Sequence, residues 1–285
     1  MSDVLTPNPG QPVTPAPAPP ADALAAPSAA QDTSVFAIPL NRLGFGDPFR
    51  WLAAGWRDFL RCPGIGLFYG GCFAVMGWAL IAVYERAPAY VLALSAGFLL
   101  VGPFMCLGLY QASRRLGLGE KPDFGDSLLA WDRKVGTLGI FGFVLLVLEM
   151  LWGRASLIVF AVSFDGMPDF KGSLLALLDP ENLNFIVAYL LVGGFFAGLI
   201  FSVSVVSIPM ILDRQTDAIT AGLTSFRLVL TQPAVMIFWG ALITVLVVAA
   251  MLPWFLGLLV VGPVVGHASW HAYRAAVGVP PAPAA

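Results

Sequence analysis

The chain has 285 residues, 58% of them hydrophobic and 11% charged, with a formal net charge of -2. An ordinary soluble domain carries about 25% charged residues, so a soluble globule is excluded, and the few scattered Lys and Arg exclude a nucleic-acid partner. Cys62, Cys72 and Cys106 are odd in number and lack CxxC spacing, which makes them reduced packing residues rather than a disulfide or metal framework.

Residues 1–37 are mostly Pro, Ala, Thr, Ser, Asp and Gln, with no Lys or Arg. Such a stretch buries too little apolar surface to offset the entropy of ordering, so a disordered, partly polyproline-like arm is expected. It lacks the basic start and hydrophobic core of a signal peptide, and is read as mature sequence on the cytoplasmic side. Residues 38–277 read as the membrane domain and 278–285 as a short Pro/Ala tail.

In Gly46-Asp47-Pro48, Asp47 is placed to cap a helix and Pro48 to occupy its first position. Phe49, Leu52, Trp56, Phe59 and Leu60 then share one face and Arg50, Arg57 and Arg61 the other, the pattern of a helix lying on lipid headgroups. Gly64–Val83 is long enough to cross a hydrocarbon core of about 30 Å. After a polar turn at Tyr84–Pro88, Tyr90–Gln111 returns with a kink expected near Gly102-Pro103.

A basic loop follows, with Arg114, Arg115, Lys121, Arg133 and Lys134, and a short amphipathic piece capped by Asp123 or Asp126. The third span starts at Val135 and leads to an acidic loop with Asp165, Asp169, Asp179 and Glu181. Phe185–Leu212 is the fourth span. Asp217 opens another surface helix with an Ile219, Leu223, Phe226, Leu230 stripe, and Ala234–Leu252 with Trp254–Ala272 form the last hairpin around Pro253. Basic residues stay on the cytoplasmic side, which places both termini there.

Shifted by 170 residues, the chain aligns Asp47 with Asp217, Arg57 with Arg227, Leu60 with Leu230, Pro63 with Pro233 and Gly70 with Gly240. A weaker middle unit repeats Phe45-Gly46-Asp47 as Phe124-Gly125-Asp126, and each returning helix holds a proline, Pro103, Pro209 or Pro263. The expected fold is all-α and polytopic, with six transmembrane helices in three hairpin repeats, each preceded by an amphipathic interfacial helix.

The segments FGDPFRWLAAGWRDFLRCPGIGLFYG, VGPFMCLGLYQASRRLGLGEKP, IPMILDRQTDAITAGLTSFR and LPWFLGLLVVGPVVGHASWHAYR resemble a bacterial family of predicted integral membrane proteins, the domain of unknown function 2189 family, over roughly Pro39 to Ala276. The resemblance implies a six-span inner-membrane protein and supplies no catalytic or binding residues.

Glu149 and Arg154 stand inside the apolar stretch Val135–Phe164, where charge needs a reason. One reading makes Glu149 a protonatable group on a proton or substrate path; the other makes it a capping or pairing residue near the outer surface. Five residues apart, the two point in different directions on an ideal helix, and a break at Gly153 would turn Ala155–Phe164 into an interfacial piece. His267 and His271 share a helix face at the spacing of two metal ligands, against which Trp270 and Tyr273 suggest an aromatic belt with both histidines at headgroup level. Asp213-Arg214 reads as a helix-end charge pair or a positional anchor. Gly66/Gly70 and Gly194/Gly198 are close-approach pairs, and Ser202, Ser204 and Ser207 are placed to bond to their own helix backbone.

No catalytic motif emerges. The leading expectation is a non-enzymatic membrane scaffold or envelope accessory protein without a cofactor, partnered by membrane lipids and by further copies or other membrane proteins. The alternatives are a transporter or channel using Glu149, and a metal- or haem-binding protein using His267 and His271.

Overall fold

The computed structural model describes residues 38–87, 90–163, 183–214 and 216–278. The expectations for the arm 1–37, the acidic loop and the tail 279–285 lie outside these residues. The helices are α1 (Asp47–Arg61), α2 (Pro63–Arg86), α3 (Val91–Gly117), α4 (Phe124–Leu128), α5 (Val135–Ser163), α6 (Leu183–Ser204), α7 (Ser207–Asp213), α8 (Ala218–Thr231), α9 (Pro233–Met251) and α10 (Leu258–Ala276). A 3-10 turn, Asp132–Lys134, leads into α5.

Among the described residues, five helical stretches are long and apolar enough to cross a membrane: Pro63–Arg86, Leu94–Gly117, Val135–Ser163, Leu183–Asp213 and Pro233–Met251. The helix α10, carrying His267, His271 and Arg274, falls outside that set. It packs instead against α1, α2 and α3. Two glycines permit this: a Cβ on Gly55 would lie 2.5 Å from the Val264 carbonyl oxygen, and one on Gly70 would collide with the Leu259 backbone.

Each amphipathic helix turns large apolar side chains outward. In α1 the buried residues are Pro48, Trp51, Gly55, Asp58 and Phe59, while Phe49, Trp56 and Leu60 are exposed. In α8 the buried face is Ala218, Thr220, Ala221, Gly222, Thr224, Ser225 and Leu228, whereas Ile219, Leu223 and Leu230 face outward. Small and hydroxylated residues let helices approach each other, and the large apolar side chains are left for lipid, as membrane packing requires.

Several local expectations need correction. Asp47 sits inside α1 rather than capping it; Gly46 is the cap residue, and Asp47 Oδ2 accepts from the Gly44 amide at 2.7 Å. The caps of α4 and α8 are Asp123, accepting from the Asp126 amide at 3.0 Å, and Asp217, accepting from the Thr220 amide at 2.9 Å. Gly153 does not break α5, which runs for 29 residues, about 43 Å at the helical rise. The last helix starts at Leu258 rather than Trp254, because Trp254 and Phe255 adopt positive φ angles of 53° and 63° in a turn to which Trp78 Nε1 donates at 2.7 Å.

The fourth apolar stretch is interrupted between α6 and α7, before Pro209. Lipid cannot satisfy the backbone groups freed there, and α8 does so instead. The Ser225 hydroxyl donates to the Ser202 carbonyl at 2.7 Å and accepts from the Val206 amide at 3.4 Å, while Ser207 Oγ donates to the Ala221 carbonyl at 3.0 Å. Ser202 and Ser204 also donate to Gly198 and Ile200 in their own helix, at 2.6 and 2.7 Å, as their placement implied.

The two ends of the domain are stitched together. Leu40 forms an antiparallel bridge with Val277, the Asn41 amide donates to Ala276 at 2.9 Å, and the Gly278 amide donates to Pro39 at 3.0 Å. Gln232 closes the stitch, accepting from Leu43 at 2.6 Å and donating to Asn41 at 2.8 Å. The helix junctions at Cys62 and Gln232, 170 residues apart, share torsions of -135°, 59° and -135°, 54°.

Candidate functional site

The spacing Trp51, Gly55, Asp58, Cys62 winds one stripe down α1, and that stripe faces α10. Asp58, in the inner half of this stripe, is buried at 6% exposure. A lone buried carboxylate would be costly, and here it meets three other helix residues. Its Oδ2 accepts from Ser113 Oγ at 2.8 Å and stands 2.7 Å from His271 Nε2. Ser113 Oγ is also 2.7 Å from Nδ1 of the fully buried His267.

The proton arrangement follows from counting. An ionised carboxylate only accepts, so the single hydroxyl proton of Ser113 goes to Asp58 and His267 Nδ1 must donate to Ser113. His267 Nε2 has no hydrogen-bond partner among the described residues. Burial pushes the Asp58 carboxyl up, but hydrogen bonds from His271 and Ser113 and the nearness of both imidazoles outweigh it and hold the group below the usual range. The Cys62 thiol donates to the Asp58 carbonyl at 3.2 Å, and burial with the nearby carboxylate pushes it up to about 11. It is an inert packing residue.

This cluster forms one wall of a cleft of about 180 Å³, lined by Ala54, Arg57, Asp58 and Arg61 from α1, Ser113, Leu116 and Gly117 from α3, and His271 from α10. Arg57 and Arg61 are exposed and make no ion pair among the described residues.

A second network lies nearby. Asp213 at the end of α7 receives Tyr273 Oη at 2.7 Å, Arg274 Nη1 at 3.1 Å and Arg114 Nε at 3.4 Å, and Arg214 Nε donates to Tyr273 Oη at 2.9 Å. Asp213 and Arg214 therefore pair with α3 and α10 rather than with each other. Lys134 Nζ donates to the Arg214 carbonyl at 3.2 Å, which brings the start of α5 to the same end of the bundle.

The residues singled out from the sequence fare differently. His267 and His271 belong to one cluster, but Asp58 and Ser113 occupy them, and no three His, Cys, Asp or Glu side chains converge as a ligand set among the described residues. The aromatic-belt reading fails: Trp270 and Tyr273 are buried at 4% and 0% exposure because α10 is enclosed by other helices. Glu149 is buried at 8% exposure and its Oε2 has no partner among the described residues, while Arg154 is exposed, so the two are not brought together. Ser156, two turns beyond Glu149 on the same α5 face, likewise has an unpartnered buried hydroxyl. Gly66 and Gly70 are close-approach positions as expected; Gly194 and Gly198 face open space.

Asp58 and Ser113 escaped sequence reasoning because a single acid among three arginines on a surface helix reads as their partner. The available signal was the Trp51–Gly55–Asp58–Cys62 stripe, whose small and polar residues are the mark of a protein-facing side in a membrane bundle.

Long apolar helices with outward-facing large side chains define a multi-pass integral membrane protein. Residues 91–213 match the model of a family described as a predicted integral membrane protein, DUF2189. The match takes in α3 to α7, with Ser113, Glu149 and Asp213, and is narrower than the Pro39–Ala276 resemblance. No curated protein and no solved structure matches the chain.

Proposed function

We propose that this chain is a six-span protein of the bacterial inner membrane, with both termini in the cytoplasm, and that it acts as a non-enzymatic accessory or scaffold protein. One observation carries the reading. Two networks of ionisable side chains, around Asp58 and Asp213, tie α1, α3, α7 and α10 together, and a cleft opens at Asp58.

The sixth span is α10. Its modest hydropathy suits a helix wrapped by α1, α2 and α3, since a helix facing protein needs no lipid-compatible surface. The shared torsions at Cys62 and Gln232 support the first and last units as copies. Reporter fusions test the layout: fusions after Gly278 and within the Arg114–Lys134 loop are expected to report the cytoplasm, and fusions within 165–182 the opposite side. Agreement of all three on one side would overturn it.

The unpartnered Glu149 Oε2 and Ser156 Oγ favour a second reading, a transporter or channel with a polar line down α5. In a strain dependent on the protein, Glu149→Gln separates the two. The accessory role expects normal growth, and the transport role expects loss of function at normal protein level.

A further inference from the structure

The cleft at Asp58 joins opposite charges at short range. Its wall is a carboxylate whose Oδ2 is engaged by Ser113 and His271 and whose Oδ1 accepts no hydrogen bond among the described residues. The two arginines that line it beside Asp58, Arg57 and Arg61, also have no acidic partner among them. A site with a free carboxylate oxygen beside two free guanidinium groups is matched by a zwitterion, whose ammonium reaches the acid and whose anion takes the bidentate geometry guanidinium offers. An anion alone would meet the uncompensated Asp58 oxygen. A cation alone would meet the arginines.

Size and place narrow the ligand further. Small-molecule sites usually enclose roughly 300–1,000 Å³, and this cleft of about 180 Å³ suits a headgroup rather than a whole metabolite. On α1, Arg57 stands between the cleft and the outward stripe of Phe49, Trp56 and Leu60, which are 56%, 45% and 57% exposed. A ligand seated at the arginines can therefore lay acyl chains along that stripe. We infer that the cleft holds the headgroup of an aminophospholipid, phosphatidylethanolamine in its chemistry, with the phosphate on Arg57 and Arg61 and the ammonium on Asp58 Oδ1. The inference rests on the proposed membrane layout, with α1 at the membrane surface as the sequence pattern leads one to expect.

The test is native mass spectrometry of the full-length protein in detergent, titrated with phosphatidylethanolamine, phosphatidylglycerol or phosphatidylcholine, with glycerophosphoethanolamine as a soluble competitor. One phosphatidylethanolamine is expected to be retained about 10-fold more tightly than phosphatidylglycerol, which lacks the amine, or phosphatidylcholine, whose quaternary nitrogen has no N–H. The surface double variant Arg57→Gln/Arg61→Gln is expected to weaken retention by about 10-fold. Asp58→Asn is expected to bring phosphatidylethanolamine down to the phosphatidylglycerol level; if that variant does not fold, the wild-type comparison with phosphatidylcholine probes the same ammonium contact. Equal retention of the three lipids, or no effect of the double variant, overturns the proposal. Glycerophosphoethanolamine binding as tightly as the lipid overturns the lipid assignment in favour of a soluble aminophosphate. These measurements do not depend on which side of a membrane the cleft faces, so a failed topology test and a failed binding test are separate results.

Discussion

Two carboxylates divide the molecule. Glu149 stands in an apolar helix, where charge draws attention at once, yet one of its oxygens has no partner and no ion pair reaches it among the described residues. Asp58 stands in a helix already rich in charge, where nothing marks it, yet it joins α1, α3 and α10 through Ser113 and His271. Charge in a greasy run shows where hydropathy is violated. Charge on the small-residue face of an amphipathic helix shows where helices meet, and here that is where the chemistry gathers.

The contrast can be broken or sharpened by substitution. The largest effect is expected at the contact that brings Asp58 to the histidines. Gly55→Val places a side chain against the Val264 and Ala268 backbone, an overpacking cost of about 3 kcal/mol, and should appear as loss of the monodisperse species by size exclusion and a large fall in melting temperature. Gly194→Val, which meets nothing within 4 Å, should change stability by no more than about 0.5 kcal/mol. If both behave alike, the α1–α10 approach is not a tight contact.

Next in size is Asp58→Asn, which keeps the shape but removes the charge from two hydrogen bonds, at a cost of about 2–3 kcal/mol. Equal melting temperatures for the variant and the parent would show the cluster to be incidental. An acid titration follows from the same group. Folding lowers the proton affinity of Asp58, so its stabilisation is complete above the ordinary carboxylate value of about 4 and is lost as the pH falls below it. Melting between pH 6 and pH 3 should therefore drop more steeply in the parent than in Asp58→Asn; identical slopes would contradict the assignment. The smallest effect is expected for Glu149→Gln, which breaks no partner contact and should shift stability by less than about 1 kcal/mol.

Most of the architecture was legible because lipid imposes it: long apolar runs must become helices when no water is present to satisfy the backbone. The amphipathic helices α1 and α8 were equally visible, and reading α1 as a helix on lipid headgroups already turned Phe49, Trp56 and Leu60 outward, whereas Phe59 of the same stripe is buried. An apolar stripe such as Ile219, Leu223 and Leu230 is a core signal in water and an outer surface in lipid, and the two readings differ only in what surrounds the chain. Of the site, His267 and His271 were recognisable as a pair. Asp58 and Ser113 come from helices distant in sequence, and their convergence depends on Gly55 and Gly70 letting α1 and α2 settle on α10. A proline could be expected to disturb the fourth apolar stretch, whereas the rescue by Ser225 is a tertiary event with no local signature.

The bridge between Leu40 and Val277 has a consequence for biogenesis. Pro39, Leu40 and Asn41 find backbone partners among Ala276, Val277 and Gly278, made more than 230 residues later, and Asn41 also waits for Gln232. A nascent chain arrested before α10 leaves that knot untied, with the Pro39–Asn41 backbone lacking these partners and open to quality-control proteases.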